Sequence, residues 1–297
     1  MKNILIIGSR GFTGRYVKEV FAKDPDMTIH EGYSYDLDIR DKSSIAKTFD
    51  AAQPDVVINI AAVSTLSVDD IPMIYEMNAT AVVNLLEELK DRKFEGRFIT
   101  SSSAYVYGNN TPEIICEEQR LYPENHYSVA KITGESACKL YRDDFDALVV
   151  RPFNCIGMGH GDTFLIPKIV RHFVDKKDRI ELGNIKARRD YVDIRDIARM
   201  YYQVACAEKV DSIYNFCSGQ ANSIQNLLDI MNEVSGHSIE VDINQAFIRA
   251  NDNLYMQGGI ERLEKIGFKH KYSLTDTLTW MYEEMSNQEI VSWAVEC

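Results

Sequence analysis

Three glycines near the amino terminus constrain the fold of this chain more than any other feature. They follow an apolar run at residues 4–7 and precede a helical pattern over residues 15–23. Glycines in such a loop let backbone N–H groups and the positive end of a helix approach a pyrophosphate closely. The strand-loop-helix setting therefore predicts a dinucleotide site. Its predicted contacts are Gly8, Ser9, Arg10, Gly11, Phe12, Thr13 and Gly14.

Strand and helix patterns alternate through the first half of the chain. Apolar runs predict strands at residues 4–7, 27–31, 56–60, 97–101 and 147–151, and amphipathic stretches predict helices at 15–23, 43–52, 71–89 and 127–141. Such repetition implies right-handed crossovers between parallel strands, with helices on both faces of the sheet. We therefore expect an α/β fold with a Rossmann-type, doubly wound parallel sheet.

The alternation loosens after about Asn154, and no Pro/Gly-rich linker separates independent domains. We expect residues 1–154 to form mainly an NAD(P)-binding Rossmann domain, joined by returning elements near 188–218. Residues 155–297 are expected to form mainly a smaller substrate-binding lobe over the carboxyl edge of the sheet. Ligands of such sheets bind in that crevice.

Composition narrows the partners of the chain. Lys and Arg total 33 against 45 Asp and Glu, and the net charge of −12 disfavours nucleic acid and anionic membranes as partners. The six cysteines are scattered without a C-x-x-C pair, which favours reduced thiols in the cytoplasm and no structural metal. The first apolar run is too short for a signal peptide, and no stretch is long enough to span a membrane.

Two residues bear on the cofactor's phosphate. Glu31 stands at the end of the second predicted strand, where an acid would accept hydrogen bonds from an NAD ribose. Arg10 lies within the glycine loop and could bind a 2′-phosphate through its planar guanidinium. We predict NADP, with NAD as the alternative. Asp38 and Ile39 would flank the adenine, although Asp38 also fits an acid that merely precedes a helix.

A catalytic set is predicted from two segments. Tyr127 and Lys131 form a Y-x-x-x-K pattern, which on a helix places phenol and ammonium one turn apart on one face. A neighbouring ammonium favours the phenolate, so the pKa of Tyr127 can fall from about 10 toward a value useful for proton transfer. Ser103 follows a predicted strand and could hold a carbonyl oxygen while Tyr127 gives or takes its proton.

The ordered motifs resemble those of the extended short-chain dehydrogenase/reductase family over nearly the whole chain. They are GSRGFTG, VVINIAA, EMNATAVVNLLE, SSSAYVYG, YSVAK, RPFNCIG and RRDYVDIRDIA. The resemblance implies catalysis by Ser103, Tyr127 and Lys131, and further cofactor contacts. Those contacts are Ala61, Ala62, Asn78, Ser101, Tyr127, Lys131, Pro152 and Phe153. For Phe153, ordinary core packing is the alternative.

Several segments resemble enzymes of that family that act on GDP-sugars. LGNIKARRD resembles the corresponding segment of GDP-mannose 4,6-dehydratases, and RPFNCIGMGHGDTFLIPKIVR and IYNFCSGQ resemble GDP-4-keto-6-deoxy-D-mannose reductases. The resemblance places Asn154 beside the substrate diphosphate. It also implies substrate contacts by Asn184, Arg189, Arg249 and Asp252, although either arginine could instead form a surface ion pair.

The two residues after Ser103 bear on the reaction. Dehydratases of the family carry a hydroxyl and an acid at these positions, and the epimerising GDP-fucose synthases carry a cysteine at the second. This chain has Ala104 and Tyr105, which we expect to contact substrate together with Ser103. The resemblance therefore implies NAD(P)H-dependent reduction of the C4 ketone of a nucleotide-linked 4-keto-6-deoxyhexose. GDP-4-keto-6-deoxy-D-mannose would yield GDP-D-rhamnose or GDP-6-deoxy-D-talose.

Three alternatives remain at this point. The chain could be a nucleotide-sugar 4-epimerase, a 4-keto reductase of dTDP- or CDP-sugars, or a non-catalytic dinucleotide-binding regulator. His126 departs from the proline that relatives often carry before the catalytic tyrosine, and it reads either as a loop histidine or as an added acid. The resemblance also implies a homodimer, with the helical patterns at 71–89 and 127–141 at its interface.

Overall fold

The computed structural model describes residues 1–63, 70–109, 113–161, 164–248 and 254–287. Its main sheet has six parallel strands in the order β2-β1-β3-β4-β5-β9. These strands are β1 (Lys2–Ile7), β2 (Met27–Glu31), β3 (Val56–Asn59), β4 (Arg97–Ser101), β5 (Asp146–Pro152) and β9 (Ile213–Phe216). The order reverses between β1 and β3, and a ligand crevice opens at such a switch point. The predicted Rossmann-type α/β sheet is confirmed.

Helices cover both faces of the main sheet. They are α1 (Phe12–Phe21), α2 (Lys42–Ala52), α3 (Ile71–Tyr75), α4 (Ala81–Asp91), α5 (His126–Lys139) and α7 (Ile194–Cys206). Alternate residues of β1 show why: Ile4 and Ile6 pack in the core with α1 and α7, whereas Leu5 and Ile7 pack in the core with α2, α4 and α5. A strand that is buried on both faces must be apolar at every position.

The helix predicted at residues 71–89 contains a break. A π-helical turn, Glu76–Thr80, joins α3 to α4. Asn78 lies in this turn, and its backbone carbonyl approaches α5 so closely that a Cβ at Gly134 would lie 2.8 Å from it. The close contact between the two helices explains the glycine, and sequence periodicity does not reveal the extra residue in the turn.

A second layer lies beyond β5. It contains β6 (Asn154–Ile156), β7 (Arg179–Leu182), β8 (Arg188–Asp193), β10 (Ala221–Ser223), β11 (Glu240–Ile243) and β12 (Tyr255–Met256). β8 pairs with β6, β10 and β12, and β7 pairs with β11. Its helices are α6 (Leu165–Val174), α8 (Ile224–Ser235) and α10 (Leu274–Asn287), whereas α9 (Glu261–Lys265) places Leu263 in the core of the main sheet. α6, α8 and α10 enclose a core of their own, apart from the main sheet.

Candidate active site

The glycine loop is folded too tightly for side chains at two of its glycines. Gly8 has a φ of +88°, and a Cβ there would lie 2.7 Å from the backbone nitrogen of Ala61. A Cβ on Gly14 would lie 2.0 Å from the carbonyl oxygen of Gly8. The Gly11 N–H donates to that same oxygen at 3.1 Å and closes the turn. The loop therefore presents bare backbone at the amino end of α1, and these residues fit a dinucleotide's pyrophosphate.

The end of β3 meets this loop from the side. Ala61 donates its backbone N–H to the Ile7 carbonyl at 3.1 Å, so the chain leaves β3 against the end of β1. Ala61 and Ala62 are half-buried at this junction. Their small side chains leave room beside the glycine loop, where the sequence predicts a cofactor ribose.

Both candidates for the ribose contact lie at the carboxyl end of β2. Lys18 donates to Glu31 at 2.9 Å and holds the pKa of that carboxyl below its usual range. The Arg10 guanidinium lies over the ring of Tyr33, immediately beyond β2. Glu31 is therefore engaged by a lysine of α1, whereas Arg10 adds a positive charge to the rim of the predicted site.

Asp38 and Ile39 are both engaged in contacts within the protein. Asp38 forms an ion pair with Arg40 at 2.7 Å on the surface. The Ile39 side chain is buried in the core beneath α2 and α4, and its carbonyl accepts a hydrogen bond from Asn84 at 3.3 Å. A contact between Ile39 and an adenine would have to use the backbone. The predicted role of both residues stays a prediction.

Asn78 supports the loop after β3. Its side-chain amide donates to the carbonyl oxygen of Val63 at 3.0 Å, and the residue is buried beneath that loop. This contact holds the backbone that follows Ala61 and Ala62. The structure thus gives Asn78 a structural contact, and its predicted contact with the cofactor stays a prediction.

The candidate catalytic residues converge at the carboxyl edge of the sheet. Asn125 and Ser128 form a capping box that begins α5 and sets the orientation of Tyr127 and Lys131. The Lys131 ammonium nitrogen lies 5.7 Å from the centre of the Tyr127 ring. Lys131 also donates to the carbonyl oxygen of Ser101, at the end of β4, at 2.8 Å. The predicted same-face arrangement on a helix is therefore present.

Ser103 completes this constellation from the other side. It begins a 3₁₀ turn, Ala104–Tyr107, and its hydroxyl oxygen accepts the Tyr105 N–H at 3.3 Å. The same hydroxyl lies near enough to the Tyr127 phenol to lower the pKa of that phenol. A carbonyl oxygen placed between these two hydroxyl groups would have a hydrogen-bond donor and a proton donor within reach.

Burial controls the charges at this site. It raises the pKa of Tyr127 to about 12, and the nearby Ser103 hydroxyl offsets a smaller part of that change. Burial lowers the pKa of Lys131 to about 8, against the field of Glu135. The pKa of Tyr127 therefore lies above its usual value, in the direction opposite to the sequence-based expectation, because burial disfavours the phenolate.

The two residues after Ser103 differ in exposure. Ala104 is buried in a small apolar core shared with Phe153 and Met256. Tyr105 is exposed over 43% of its surface. Its electrostatic interaction with the Tyr127 phenol contributes to the raised pKa of that phenol. Neither side chain carries a carboxylate, so the general acid and base of a dehydration are absent from these two positions.

The chain at the end of β5 is held in place by core packing and hydrogen bonds. Phe153 is buried, and its N–H donates to the Phe216 carbonyl at 2.9 Å, so core packing accounts for its ring. Pro152, immediately before it, is half-buried at the end of β5. Asn154 donates its side-chain amide to the carbonyl oxygen of Asp190 at 3.2 Å, which ties β6 to β8.

Besides Asn154, four substrate contacts are predicted, and two of them lie among the described residues. The Asn184 side chain accepts the Lys186 N–H at 3.0 Å in the loop between β7 and β8. Arg189, on β8, donates to the carbonyl oxygen of Arg188 at 3.0 Å and is half-buried. Arg249 and Asp252 lie outside the described residues. All four remain predictions.

An aromatic stack that the sequence does not reveal joins the glycine loop to the second layer. The His160 ring lies between Phe12, at a centroid distance of 4.3 Å, and Phe164, at 3.8 Å. Burial lowers the pKa of His160 to about 4, so the ring is neutral at physiological pH. Arg15 donates to the Gly159 carbonyl at 2.7 Å beside this stack. The segment after β6 therefore packs directly on the start of α1.

Glu135 was also missed, although the sequence contains its signal. It follows Lys131 by four residues on α5 and therefore lies on the same helix face, where it forms a buried ion pair with Arg151. An acid one turn beyond the predicted lysine was recognisable from spacing. Its partner on β5 was not.

The described residues contain neither a membrane-spanning helix nor a metal-binding cluster. Among them, no helix is both long and apolar enough to cross a membrane. The same residues contain no group of three or more His, Cys, Asp or Glu side chains arranged to hold a metal ion.

Comparison with known proteins gives concordant matches. The family model described as the NAD dependent epimerase/dehydratase family matches residues 4–217. A GDP-6-deoxy-D-talose 4-dehydrogenase from Aggregatibacter actinomycetemcomitans is 26% identical over 287 residues, covering 96% of this chain and 97% of the relative. A GDP-6-deoxy-D-mannose reductase from Pseudomonas aeruginosa is 28% identical over 291 residues, covering 93% and 95%.

A solved structure agrees with these matches. The structure of RMD from Pseudomonas aeruginosa complexed with NADPH superposes with a TM-score of 0.87 at 26% sequence identity. The superposition covers 96% of this chain and 99% of that one. Both layers of the fold are therefore included in the likeness.

Proposed function

Because the chain belongs to the NAD dependent epimerase/dehydratase family, we propose that it reduces the C4 ketone of a nucleotide-linked 4-keto-6-deoxyhexose. The proposed substrate is GDP-4-keto-6-deoxy-D-mannose, and the product is GDP-D-rhamnose or GDP-6-deoxy-D-talose. Family membership confirms the predicted enzyme class, an NAD(P)-dependent oxidoreductase acting on nucleotide sugars.

The observation that carries the proposal is the convergence of Ser103, Tyr127 and Lys131 at the carboxyl edge of the sheet. A nicotinamide cofactor held at the glycine loop would supply the hydride for the ketone carbon. The Ser103 hydroxyl donates a hydrogen bond to the ketone oxygen, and Tyr127 transfers its phenolic proton to that oxygen as negative charge develops there. The Lys131 ammonium stabilises the resulting phenolate.

Two features favour direct reduction of a GDP-ketosugar. Ala104 and Tyr105 supply no carboxylate for the loss of water, so the reaction stops at the proton transfer that Tyr127 performs. The relatives named as a GDP-6-deoxy-D-talose 4-dehydrogenase and a GDP-6-deoxy-D-mannose reductase support a substrate with guanosine diphosphate and a 6-deoxyhexose.

We assign NADP as the cofactor, with NAD as the alternative. Arg10 brings a positive charge to the end of β2, and Lys18 donates to one oxygen of the Glu31 carboxylate there. These two cations support the binding of a 2′-phosphate at this position. The NADPH complex of the solved relative supports the same assignment.

A nucleotide-sugar 4-epimerase is the second candidate. It is favoured by relatives named UDP-glucose 4-epimerase, one of which is 24% identical over 93% of this chain. An epimerase must retain its oxidised cofactor through a full cycle. Tightly bound NAD in the purified protein, with interconversion of C4 epimers, would support this candidate over the reductase.

The deciding experiment offers NADPH together with GDP-4-keto-6-deoxy-D-mannose, with the dTDP and CDP analogues run alongside. NADPH oxidation is followed by its near-ultraviolet absorbance, and the product is identified by NMR. We expect oxidation with the GDP substrate, and the C4 configuration of the product distinguishes rhamnose from 6-deoxytalose. No oxidation with any ketosugar would contradict the reductase.

Three further assignments belong to this proposal. Residues 1–154, with returning elements near 188–218, would mainly bind NAD(P), and 155–297 would mainly bind the sugar nucleotide. A cytoplasmic homodimer is proposed, for which exposed apolar side chains on α3 and α5 supply a surface: Ile71 and Val129 are exposed there. A single sedimenting species of monomer mass at micromolar concentration would contradict the dimer.

A further inference from the structure

A buried ion pair lies directly behind the candidate catalytic residues. The Arg151 guanidinium donates to both carboxylate oxygens of Glu135, at 2.9 and 2.6 Å. The two side chains are exposed over 3% and 6% of their surfaces. A buried pair of this kind adds little net stability over apolar residues of the same shape, because both charges lose their hydration. Its presence therefore calls for a role other than stability.

The pair joins the supports of the candidate catalytic groups. Glu135 lies one helical turn after Lys131 on α5, and Arg151 precedes Pro152 on β5. Arg151 also donates to the phenol oxygen of Tyr107 at 2.8 Å. Tyr107 ends the 3₁₀ turn that Ser103 begins. One guanidinium thus fixes, relative to each other, the elements that carry Ser103, Lys131 and Pro152.

The network extends to the edge of the main sheet. The Tyr107 phenol donates to the Asn215 side chain at 2.6 Å, and Asn215 donates its own N–H to the Glu117 carboxylate at 2.8 Å. Arg151 donates to the Glu117 carbonyl at 3.0 Å. All three guanidinium nitrogens of Arg151 therefore donate within this network, which restricts the geometry of the side chain.

Charged and titratable groups approach Lys131 and Tyr127 from several elements. Lys131 faces Tyr127 and Glu135 on its own helix, and Tyr127 faces Tyr105 from the 3₁₀ turn and Cys155 from β6. Tyr201 of α7 interacts electrostatically with Tyr127 and Cys155.

Four titratable groups lie around Glu135 itself: Arg151, Tyr107, Arg142 and Cys138. Among the described residues, Glu135 supplies the negative charge that acts on Lys131.

We propose that Glu135, held by Arg151, is a positioning residue of this active site: it fixes the register between α5 and β5 and supplies the counter-charge of the Lys131 ammonium. The inference rests on the proposed function, since it concerns the protonation of the lysine that assists Tyr127. Glu135 itself touches neither the substrate nor the cofactor in this role.

A titration without substrate tests the charge directly. Protein labelled with ¹³Cε-lysine is titrated by NMR, and the Lys131 resonance is assigned by its loss in Lys131→Arg. The wild-type midpoint is expected near the lowered pKa of about 8. Glu135→Gln, which keeps the shape but removes the charge, should lower the midpoint by about one pH unit. An unchanged midpoint would overturn the proposal.

Two further variants keep this test decisive. If Glu135→Gln does not fold, its combination with Arg151→Met removes both buried charges and should lower the midpoint in the same direction. Asp146→Asn removes a carboxylate from a different arginine ion pair, the one with Arg97 at the amino ends of β4 and β5, and should leave the midpoint unchanged. An equal shift in Asp146→Asn would show a general loss of stability and would overturn the proposal.

Kinetics then separate this inference from the proposed function. If the wild type reduces the ketosugar, Glu135→Gln should move the basic limb of the kcat profile down by about one pH unit. KM for NADPH should change little. If the wild type turns over no ketosugar, the proposed function fails, whereas the NMR titration still tests the charge of Lys131. A lowered kcat with an unmoved pH profile would contradict the inference.

Discussion

The Lys131 ammonium donates a 2.8 Å hydrogen bond to the carbonyl oxygen of Ser101, at the end of β4. This contact fixes the lysine between the strand that leads to Ser103 and the helix that carries Tyr127. Because Lys131 is almost fully buried, its charge acts on Tyr127 through protein rather than through water, where the interaction is stronger. The arrangement supports proton transfer by Tyr127.

Removal of the Tyr127 hydroxyl tests that role. Tyr127→Phe leaves the ring in place but has no proton to give, so kcat should fall by about 10²- to 10⁴-fold. Binding of NADPH, measured by fluorescence, should remain within a few-fold of wild type. Tyr202→Phe is the matched control, because its phenol donates to Asp24 away from the site. Full ketosugar reduction by Tyr127→Phe would exclude the tyrosine as the required acid.

The burial of Lys131 predicts that this residue supports activity but lowers the free energy of unfolding. Its pKa falls from 10.5 to about 8 on burial, so the folded protein binds this proton less readily than the unfolded chain. Lys131→Met should abolish reduction yet raise the free energy of unfolding by about 2 kcal/mol at neutral pH, after allowance for the lost hydrogen bond.

The stability gained by Lys131→Met should depend on pH, because the lysine has different pKa values in the folded and unfolded states. Below about pH 8 both states of the wild type carry the charge, and the full penalty of burying it is present. Between pH 8 and 10.5 the folded lysine is neutral while the unfolded one is still protonated, so the penalty fades as the pH rises. Urea unfolding across this range should show the advantage of Lys131→Met shrinking. A constant advantage would contradict the lowered pKa.

Local patterns predicted the parts of the site that lie on single elements. The glycine loop, the Y-x-x-x-K face of α5 and the serine after β4 are each encoded within a few residues. The parallel sheet with helices on both faces follows from the alternation of strands and helices along the chain. These are the features in which backbone geometry depends on neighbouring residues of the sequence.

Long-range packing was not predictable in the same way. Nothing near His160 in the sequence indicates that its ring stacks on Phe12, and nothing near Glu135 names Arg151 as its partner. The burial of a side chain likewise depends on elements that are distant in the sequence. The Ile39 side chain lies in the core, and the pKa of Tyr127 rises, because elements distant in the sequence cover them.

The glycine loop offers a steric test. Gly14→Ala would place a Cβ 2.0 Å from the Gly8 carbonyl, so the loop must open and the amino end of α1 must shift. We expect NADPH affinity to fall at least about tenfold, with a loss of about 2 kcal/mol or more in the free energy of unfolding.

The matched control is Gly236→Ala, where φ is +64° and nothing lies within 4 Å of the added Cβ. It should cost about 1 kcal/mol and leave NADPH affinity unchanged. Equal NADPH affinity in wild type and Gly14→Ala would contradict the pyrophosphate assignment of this loop.

Arg10 distinguishes the two cofactors. Its guanidinium lies over Tyr33 at the end of β2, where the ring holds it in place for a 2′-phosphate. A charge-assisted hydrogen bond is worth about 1.5–3 kcal/mol, so Arg10→Ala should weaken NADPH binding by about 10- to 100-fold. NADH binding should change by less than about threefold, since NADH lacks the phosphate that Arg10 would contact.

Arg179→Ala, which removes an exposed arginine from β7, is the control for Arg10→Ala and should alter the affinity for neither cofactor. Titration calorimetry with both cofactors measures the ratio of the two dissociation constants. If Arg10→Ala weakens the binding of NADPH and of NADH by the same factor, Arg10 only supports the loop, and the preference for NADP must come from other residues.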